Sequence, residues 1–529
     1  MLRASDVVAW ILAAILAAAI VWRLQAANRA PLVWDEAARV DSGANLARTL
    51  STGDLLGSWQ WVHAQVFYPF LGPALNGVGL LLTHNSIAAA WVPSLAAFGL
   101  AGILSGRLAK RLGGGDVGAW CAAVMTWLTP IFARVAAGAF TEPIGACLLI
   151  ATLLALASFD RHRTVWGPPV AAGMLAAFSL FLKYDYGLLT LETICLSGVA
   201  ALSDRTTRFV SIKHYGVALA TSISIGAAWF LVSPSEKFRG ALQFVGQAAP
   251  GSAAQVDLLY YPKALFSNGE VGINPIIAVA VVIALASGIA QIRRREMRAP
   301  IISLVLWYLM YSTATIRYPR YLGFIVPLLA VFAGLAAGQL VANTHFQSTP
   351  VRRIALSVAA VMAAGQLAVQ AGTSATGLPA QFWFLAPNPA AEAALNFAAN
   401  HLREEAGSAM MLGQTNEFSP YALHLAWTER LGYPAPPVDF IGESGHPTNE
   451  QSLVKEIAAL GAHQVVGVDV RPGSSLDTQD YRTVFPSQPG LVALARESES
   501  AGLFVRVADI SLEDGLLGVT VWDYPAAGP

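Results

Sequence analysis

Charged residues are scarce in this sequence. Only 12% of its 529 residues are Asp, Glu, Lys or Arg, whereas soluble domains carry about 25%. Hydrophobic residues make up 55% of the chain, and the mean hydropathy is +0.53. This composition excludes an ordinary soluble domain and predicts a polytopic α-helical membrane protein.

Cysteine and net charge are also lacking. The three cysteines, Cys121, Cys147 and Cys195, lie in hydrophobic runs, which excludes a disulfide framework and is typical of small core side chains. The 33 Lys and Arg residues balance 33 Asp and Glu residues. With a net charge of zero, no basic surface for nucleic acid is expected.

Eleven segments are long and apolar enough to cross a membrane. They lie at about 7–25, 88–108, 117–134, 142–158, 167–183, 186–203, 214–233, 273–291, 299–315, 321–342 and 354–372. A further apolar segment, 66–83, is broken by proline and glycine. We interpret it as re-entrant or interfacial, because five short basic turns then all fall on the cytoplasmic side.

This topology places the charges near membrane depth on the external face. They are Asp35, Glu36, Glu142, Lys183, Asp185, Arg317 and Arg320. Charges at that depth are costly and commonly functional. Each also has a structural alternative, which is helix capping for the carboxylates and interfacial anchoring or snorkelling for the cations. Asp185, like His63 and His84, is assigned a structural or surface role.

The first external loop predicts an interfacial helix that begins near Asp35. Apolar residues recur at helical spacing, at Ala37, Val40, Ala44, Ala47 and Leu50. Such a helix lies along the membrane surface, with Arg39 and Arg48 facing away from the lipid.

Hydropathy falls in the last part of the chain. Asn388 and Pro389 are the residue types of an N-cap and a first helical position. Strand patterns follow at 409–413, 463–470, 503–510 and 518–525. We therefore predict a transmembrane module at 1–375 and an external α/β domain at 376–529.

The order of these motifs resembles that of GT-C glycosyltransferases, which use polyprenyl-phosphate sugars. The branch it resembles contains bacterial protein O-mannosyltransferases, aminoarabinose transferases and Rgt-type lipopolysaccharide transferases, and the resemblance covers about residues 1–345. The motifs are "WDEAARVDSGANLARTLSTGDLL", "VFYPFLGPALNGVGLLL", "RLAKRLGGGDVG", Thr141-Glu142-Pro143, Lys183-Tyr184, and Arg317-Tyr318 with Pro327. One departure is the Lys-Pro-Pro-Leu motif of many relatives, which reads "HAQVFYPF" here and lacks the lysine.

The resemblance implies an inverting transferase that moves a sugar from a polyprenyl-phosphate donor to an acceptor glycan, lipid or protein. It implies a multi-pass protein of the bacterial cytoplasmic membrane with an external active site. Asp35 is then the general base, and Glu142 and Glu36 assist it. Lys183, Arg317 and Arg320 bind the donor phosphate. No cofactor is required, and a divalent cation (Mg or Mn) is left open.

Two other functions fit part of the pattern. A transporter or flippase of a lipid-linked or polar substrate would also place charges in the membrane, and a scaffold would use the external domain to bind partners. The sequence has no internal repeat of the kind that many transporters show. The charges also gather on one face instead of following a path, which favours the enzyme.

Overall fold

The computed structural model describes most of the chain, in two units. The described residues are 4–28, 34–65, 69–82, 90–159, 165–203, 208–232, 234–246, 257–266, 282, 294–314, 320–342, 388–415, 418–431, 435–441, 447, 449–476 and 487–524. By their contacts, one unit comprises Met1–Ala26, Trp59–Gly72 and Trp91–Trp383, and the other comprises Ala27–Ser58, Pro73–Ala90 and Phe384–Pro529. The predicted domain boundary at 375 lies outside the described residues and stays a prediction.

Helices dominate the chain before residue 350. They are α1 (Ala4–Asn28), α2 (Trp34–Ser51), α3 (Leu55–Ala64), α4 (Leu71–Leu82), α5 (Val92–Ala109), α6 (Gly115–Leu128), α7 (Pro130–Ala137), α8 (Glu142–Leu156), α9 (Gly167–Leu182), α10 (Tyr184–Ala201), α11 (Arg208–Phe230), α12 (Pro234–Gly246), α13 (Tyr260–Phe266), α14 (Arg295–Thr313) and α15 (Tyr321–Ala342). A π-helical turn, Lys110–Gly114, joins α5 to α6. Helix α2 and most of α4 belong to the second unit, and most of the others to the first.

Predicted spans are helical where the structure describes them, whereas 273–291 and 354–372 lie almost wholly outside the described residues. By length and composition, Val92–Leu128 and Tyr321–Gln339 are long and apolar enough to cross a membrane, and α7 with α8, bent by 117°, makes a third candidate. The number eleven therefore stays a prediction. Among the described residues of segment 66–83, the one helix is α4, whose 12 residues extend for about 18 Å, less than the roughly 30 Å of a bilayer core.

Small residues bring α6 and α15 together in the first unit. Gly114 and Gly118 face Gly334 and Gly338, and in each pair a Cβ atom would collide with the opposite backbone. Two facing glycines spaced by four residues are a packing device of membrane helices, because they allow the backbones to approach closely.

Arginines cap helix C-termini at one end of the first unit. The donated hydrogen bonds run from Arg111 to the Ala157 carbonyl at 2.9 Å, from Arg294 to the Leu112 carbonyl at 2.8 Å, and from Arg298 to the Ala200 carbonyl at 2.9 Å. Each cation thus meets the negative end of a helix. Residues 107–116 and 294–298, which belong to two turns predicted to be cytoplasmic, therefore lie at the same end of the first unit. Helices α8 and α10 begin at the opposite end, roughly 22 to 27 Å away.

The C-terminal part of the second unit is an α/β fold. Its elements are α16 (Pro389–His401), β1 (Ala409–Leu412), α17 (Pro420–Leu431), β2 (Val438–Phe440), α18 (Glu450–Ala459), β3 (Gln464–Val470), α19 (Gln488–Ser500), β4 (Val505–Leu512) and β5 (Leu517–Asp523). The strands pair in the order β2-β1-β3-β5-β4, with β1 parallel to both neighbours and β5 antiparallel to both of its own. Val465, Val492 and Trp522 lie in the core between sheet and helices. Asn388 caps α16, as the sequence predicts, by accepting a hydrogen bond from the Ala391 N–H at 3.0 Å.

Helix α2 forms where the first-loop pattern predicts it, but its surroundings differ from the prediction. Its apolar face is buried within the second unit and α2 packs on α17, so protein covers this face. Arg39 is 5% exposed, so the prediction that it faces away from the buried side is wrong. Periodicity identifies an apolar face without showing whether lipid or protein covers it.

The cysteine prediction is right for one residue of three. Cys147 is buried, Cys121 is half-buried and Cys195 is exposed on its helix. An apolar surrounding sequence indicates a membrane helix, and the outer face of such a helix is apolar as well.

Candidate active site

The starts of three helices bring buried and half-buried polar side chains together in the first unit. They are the start of α8 after the α7–α8 turn, the one-residue link between α9 and α10, and the residue before α15. Electrostatic interactions connect Lys183 with Glu142, Asp185, Arg320 and Tyr321. The residues that we call the polar cluster are Glu142, Lys183, Asp185, Tyr186, Tyr311 and Arg320.

Lys183 occupies a tight turn. Its extended backbone, with φ −162° and ψ 136°, ends α9 and caps α10. Gly187 lets the two helices approach, because a Cβ atom there would overlap Leu180. The Lys183 side chain is consequently held at the N-terminus of α10, where it is 8% exposed.

Asp185 is held by three donors. Its Oδ2 atom accepts a hydrogen bond from the Tyr311 hydroxyl at 2.6 Å and lies 3.1 Å from the Lys183 ammonium. Its Oδ1 atom accepts from the Tyr186 backbone N–H at 3.0 Å. Asp185 therefore links α10 to α14 and orients Lys183 in a structural role.

Aromatic rings surround the Lys183 ammonium. It lies 5.0 Å from the ring centroids of both Tyr186 and Tyr321, a distance at which a ring face attracts a cation. Tyr186 stacks on Phe324 with centroids 4.3 Å apart. Its ring also fills the space beside Gly145, where a Cβ atom would lie only 2.5 Å from it.

Arg320 lies beside the α7–α8 turn. Its guanidinium carbon is 5.0 Å from the Phe140 ring centroid and 5.6 Å from that of Tyr321. The turn contains Ala139 with φ +54°, in the left-handed region. Ser94 fixes it by donating a hydrogen bond to the Phe140 carbonyl at 2.7 Å. Residues held in this backbone region cost energy and are often found at functional sites.

Glu142 is the carboxylate of the cluster with unused hydrogen-bonding capacity. It is 2% exposed, and its Oε2 atom accepts no hydrogen bond from any residue that the structure describes. It interacts electrostatically with Lys183 and Tyr186. A buried carboxylate oxygen without a donor is costly and marks a candidate for binding or proton transfer.

The cluster suits an anionic group. The exposed N–H groups at a helix N-terminus carry partial positive charge, and α8, α10 and α15 all begin here. Lys183 and Arg320 add two cations. Helix N-termini combined with Lys and Arg are a common phosphate-binding arrangement.

The first unit also contains a buried lysine outside the polar cluster, Lys237 of α12. This side chain is fully buried, and its ammonium donates to the Trp229 carbonyl at 3.1 Å and lies 3.2 Å from the Trp229 ring centroid. His63 Nδ1 is 3.5 Å away. Burial lowers the pKa of Lys237 to about 8, although nearby Glu236 partly opposes this effect. His63, assigned from sequence to a structural or surface role, is thus neighbour to a buried amine.

Three of the predicted site residues meet in the polar cluster, namely Glu142, Lys183 and Arg320. Glu36 is buried in α2 of the second unit. Asp35 belongs to the first turn of α2, but its side chain lies outside the described residues, as does all of Arg317. Within the described ranges, no three His, Cys, Asp or Glu side chains are grouped as metal ligands would be.

Sequence reasoning did not single out Tyr186, Tyr311 or the buried amine, and it assigned Asp185 only a structural or surface role. Tyr186 and Asp185 follow Lys183 directly in "KYDY", and this concentration of polar groups at a span start is a usable signal. Tyr311 lies 126 residues from its partner, and nothing in the sequence connects the two. Lys237 falls in a loop whose sequence gives no sign of its burial.

Solved structures resemble this one over almost its full length. ArnT from Cupriavidus metallidurans bound to undecaprenyl phosphate matches with a TM-score of 0.61 and 15% identity, covering 98% of this chain and 99% of that chain. The apo state of the same protein matches with a TM-score of 0.61 and 14% identity, covering 98% of each chain. The chain has the fold of ArnT. The predicted resemblance to the aminoarabinose-transferase branch is thereby confirmed at the level of the fold, which is mostly helical.

A larger protein shares the fold in part. The arabinofuranosyltransferase AftD from Mycobacteria matches with a TM-score of 0.50 and 16% identity, over 97% of this chain and 40% of AftD. No protein-family model matches the sequence, and no curated protein matches it. The likeness is thus one of structure, retained at low sequence identity.

Proposed function

We propose that this protein is a membrane glycosyltransferase that moves a sugar from a polyprenyl-phosphate donor to a glycolipid, polysaccharide or protein acceptor on the external face of the membrane. The observation that carries the proposal is the match over 98% of the chain to ArnT bound to undecaprenyl phosphate. Two cations at helix N-termini, the buried Lys183 and the half-buried Arg320, are the kind of groups that such a donor needs.

The proposed reaction is a single displacement. An acceptor hydroxyl oxygen attacks the anomeric carbon while the bond from that carbon to the phosphate oxygen breaks. The electron pair leaves with the polyprenyl phosphate, and the acceptor proton passes to a carboxylate. Attack opposite the leaving group inverts the anomeric configuration. Catalysis then requires a base for the proton and cations for the charge that grows on the phosphate.

Lys183 and Arg320 bind the phosphate in this mechanism, and Arg317, three residues before Arg320, joins them. An arginine fork holds two phosphate oxygens at once, whereas the lysine acts as a point charge. Asp185 and Tyr311 position Lys183 through the contacts at 3.1 and 2.6 Å. Because negative charge grows on the phosphate as the bond breaks, these contacts strengthen in the transition state and raise kcat.

Three carboxylates are assigned to the acceptor in this mechanism. Asp35, at the start of α2, is the proposed base, and its neighbour Glu36 orients the loop. Glu142 binds the acceptor hydroxyl, because its buried Oε2 atom accepts no hydrogen bond from the described residues. A carboxylate general base contributes about 10²- to 10⁴-fold to the rate.

The test is sugar transfer in membranes that contain the protein. Labelled polyprenyl-phosphate sugars are added, and label is followed into glycolipid, polysaccharide and protein fractions. Asp35→Asn and Glu142→Gln should each lower transfer by about 10²-fold or more. Asp54→Asn is the matched control, because Asp54 only caps α3 through the Gly57 N–H at 2.7 Å, and asparagine caps equally well. Label that never leaves the donor, or full transfer by both variants, would refute the proposal.

A further inference from the structure

A histidine in the C-terminal α/β domain forms an ion pair with the acidic first-loop helix. His424 of α17 is 6% exposed. Its Nδ1 atom hydrogen-bonds to the Asp41 carboxylate of α2, and its Nε2 atom lies 3.0 Å from the Ala435 carbonyl. Both helices belong to the second unit, although the pair is separated by 383 residues in sequence.

The partners of this ring determine its protonation. A carboxylate and a carbonyl both accept hydrogen bonds and neither donates, so each ring nitrogen must carry a proton. Only the imidazolium form has two N–H donors. Burial alone would lower the pKa of His424, but the hydrogen bond and charge of Asp41 together with the Ala435 carbonyl outweigh burial and the opposing charge of Arg48, and the pKa is raised above 6.5. Tyr421, another titratable neighbour, interacts with Asp41.

The ion pair fixes the helix that carries the acidic pair. Asp41 follows Asp35 by six residues, or about 9 Å along the helix. Beside it, Ala37, Val40 and Ala44 are buried along the same helix, which packs on α17. Apolar contacts of this kind bury surface but do not fix how α2 is rotated or shifted along α17. A buried ion pair does fix it, because its two charges meet in only one arrangement of the helices.

We propose that the C-terminal α/β domain positions the acidic first-loop helix for catalysis, and that the Asp41–His424 ion pair sets the orientation of that helix. His424 is thus a positioning residue, which acts through α2 on Asp35 and Glu36. The proposal rests on the proposed transferase function for its catalytic part. The docking of α2 on the domain can be measured independently of activity.

The kinetic test compares His424→Gln and Asp41→Asn with wild type in nanodiscs. Each variant should lower kcat about 10- to 100-fold, the loss expected when a reacting group is misplaced by roughly 1 Å, while donor KM changes less than about threefold because the phosphate ligands are untouched. His463→Gln is the control, because His463 is exposed. Wild-type kcat in both variants would overturn the proposal.

The pH profile separates positioning from a purely structural role. Because the folded pKa of His424 is raised, the ion pair is complete below the ordinary histidine pKa and is lost as the pH rises through the folded value. Wild-type kcat should therefore fall as the pH rises through the folded pKa of His424. The pH profile of His424→Gln should lack this alkaline decrease. His424→Lys keeps a cation opposite Asp41 to higher pH, so it should restore part of kcat and move the decrease to higher pH. An unchanged profile in both variants would contradict the proposal.

Hydrogen exchange tests whether the ion pair holds α2 on the C-terminal domain, and it needs no assay of sugar transfer. His424→Gln should speed amide exchange in residues 34–51 and leave α16 at the wild-type rate. Unfolding temperatures of the two single variants and the double variant should be non-additive, because the residues are in contact. If wild type transfers no sugar but the exchange and the coupling are as expected, the transferase proposal fails while the ion-pair docking stands. Unchanged exchange with additive effects would refute the docking itself.

Discussion

Replacing Lys183 by methionine tests whether this lysine is part of a buried site or merely reaches toward the membrane surface. Methionine keeps most of the volume and removes the charge. Asp185 would keep its hydrogen bonds from Tyr311 and its neighbouring backbone, but its charge would lose the ammonium 3.1 Å away. Removing one partner of a buried pair costs about 3–5 kcal/mol, and the two remaining donors place Lys183→Met near the lower end of that range.

The double variant separates stability from function. Lys183→Met with Asp185→Asn removes the orphaned charge and should recover most of the lost stability. Activity should stay low, because the phosphate still lacks its cation. Thermal unfolding and donor titration in nanodiscs measure the two effects. Lys110→Met is the control, since its partner Asp116 is exposed and surface pairs contribute about 0–1 kcal/mol. Wild-type stability and turnover in Lys183→Met would show that the lysine only snorkels.

Three further substitutions have expected outcomes. Gly145→Ala should displace the Tyr186 ring, which lies 2.5 Å from the site of the new Cβ atom, and should lower stability by about 1–3 kcal/mol; an unchanged unfolding temperature would contradict that packing. Lys237→Met should raise stability below pH 8, because the wild-type pKa falls from 10.5 to about 8 on folding, with an upper limit of about 3 kcal/mol. The free energy of unfolding of the wild type should therefore rise between these two pH values, while that of the variant should not change. Parallel plots of stability against pH would contradict a buried ammonium. Asn388→Ala should cost the C-terminal domain about 1 kcal/mol by removing the cap on α16, which denaturant titration would detect.

Sequence patterns predict what depends on neighbours in the chain. The cap at Asn388 and the helix after Asp35 follow from local rules, and Glu142 and Lys183 are conspicuous because charge is rare in apolar segments. The polar cluster itself depends on how helices pack. Tyr311 reaches Asp185 across 126 residues, and no local rule indicates such a contact.

The second unit illustrates the same limit. The apolar spacing of α2 is clear in the sequence, yet a membrane surface and a protein surface demand the same spacing. That α17 covers this face follows only from the fold, as does the pairing of Asp41 with His424. In the first unit, the burial of Lys237 likewise depends on the side chains that surround α12, among them Trp229.

The fate of the donor's sugar–phosphate bond in proteoliposomes is the most direct measurement. Purified protein is given a doubly labelled polyprenyl-phosphate sugar together with a membrane extract that supplies acceptors. A glycosyltransferase releases polyprenyl phosphate and glycosylated acceptor in equal amounts, and Glu142→Gln lowers both together. Donor that crosses the bilayer with its sugar–phosphate bond intact, and with no acceptor labelled, would contradict the transferase and identify a lipid transporter.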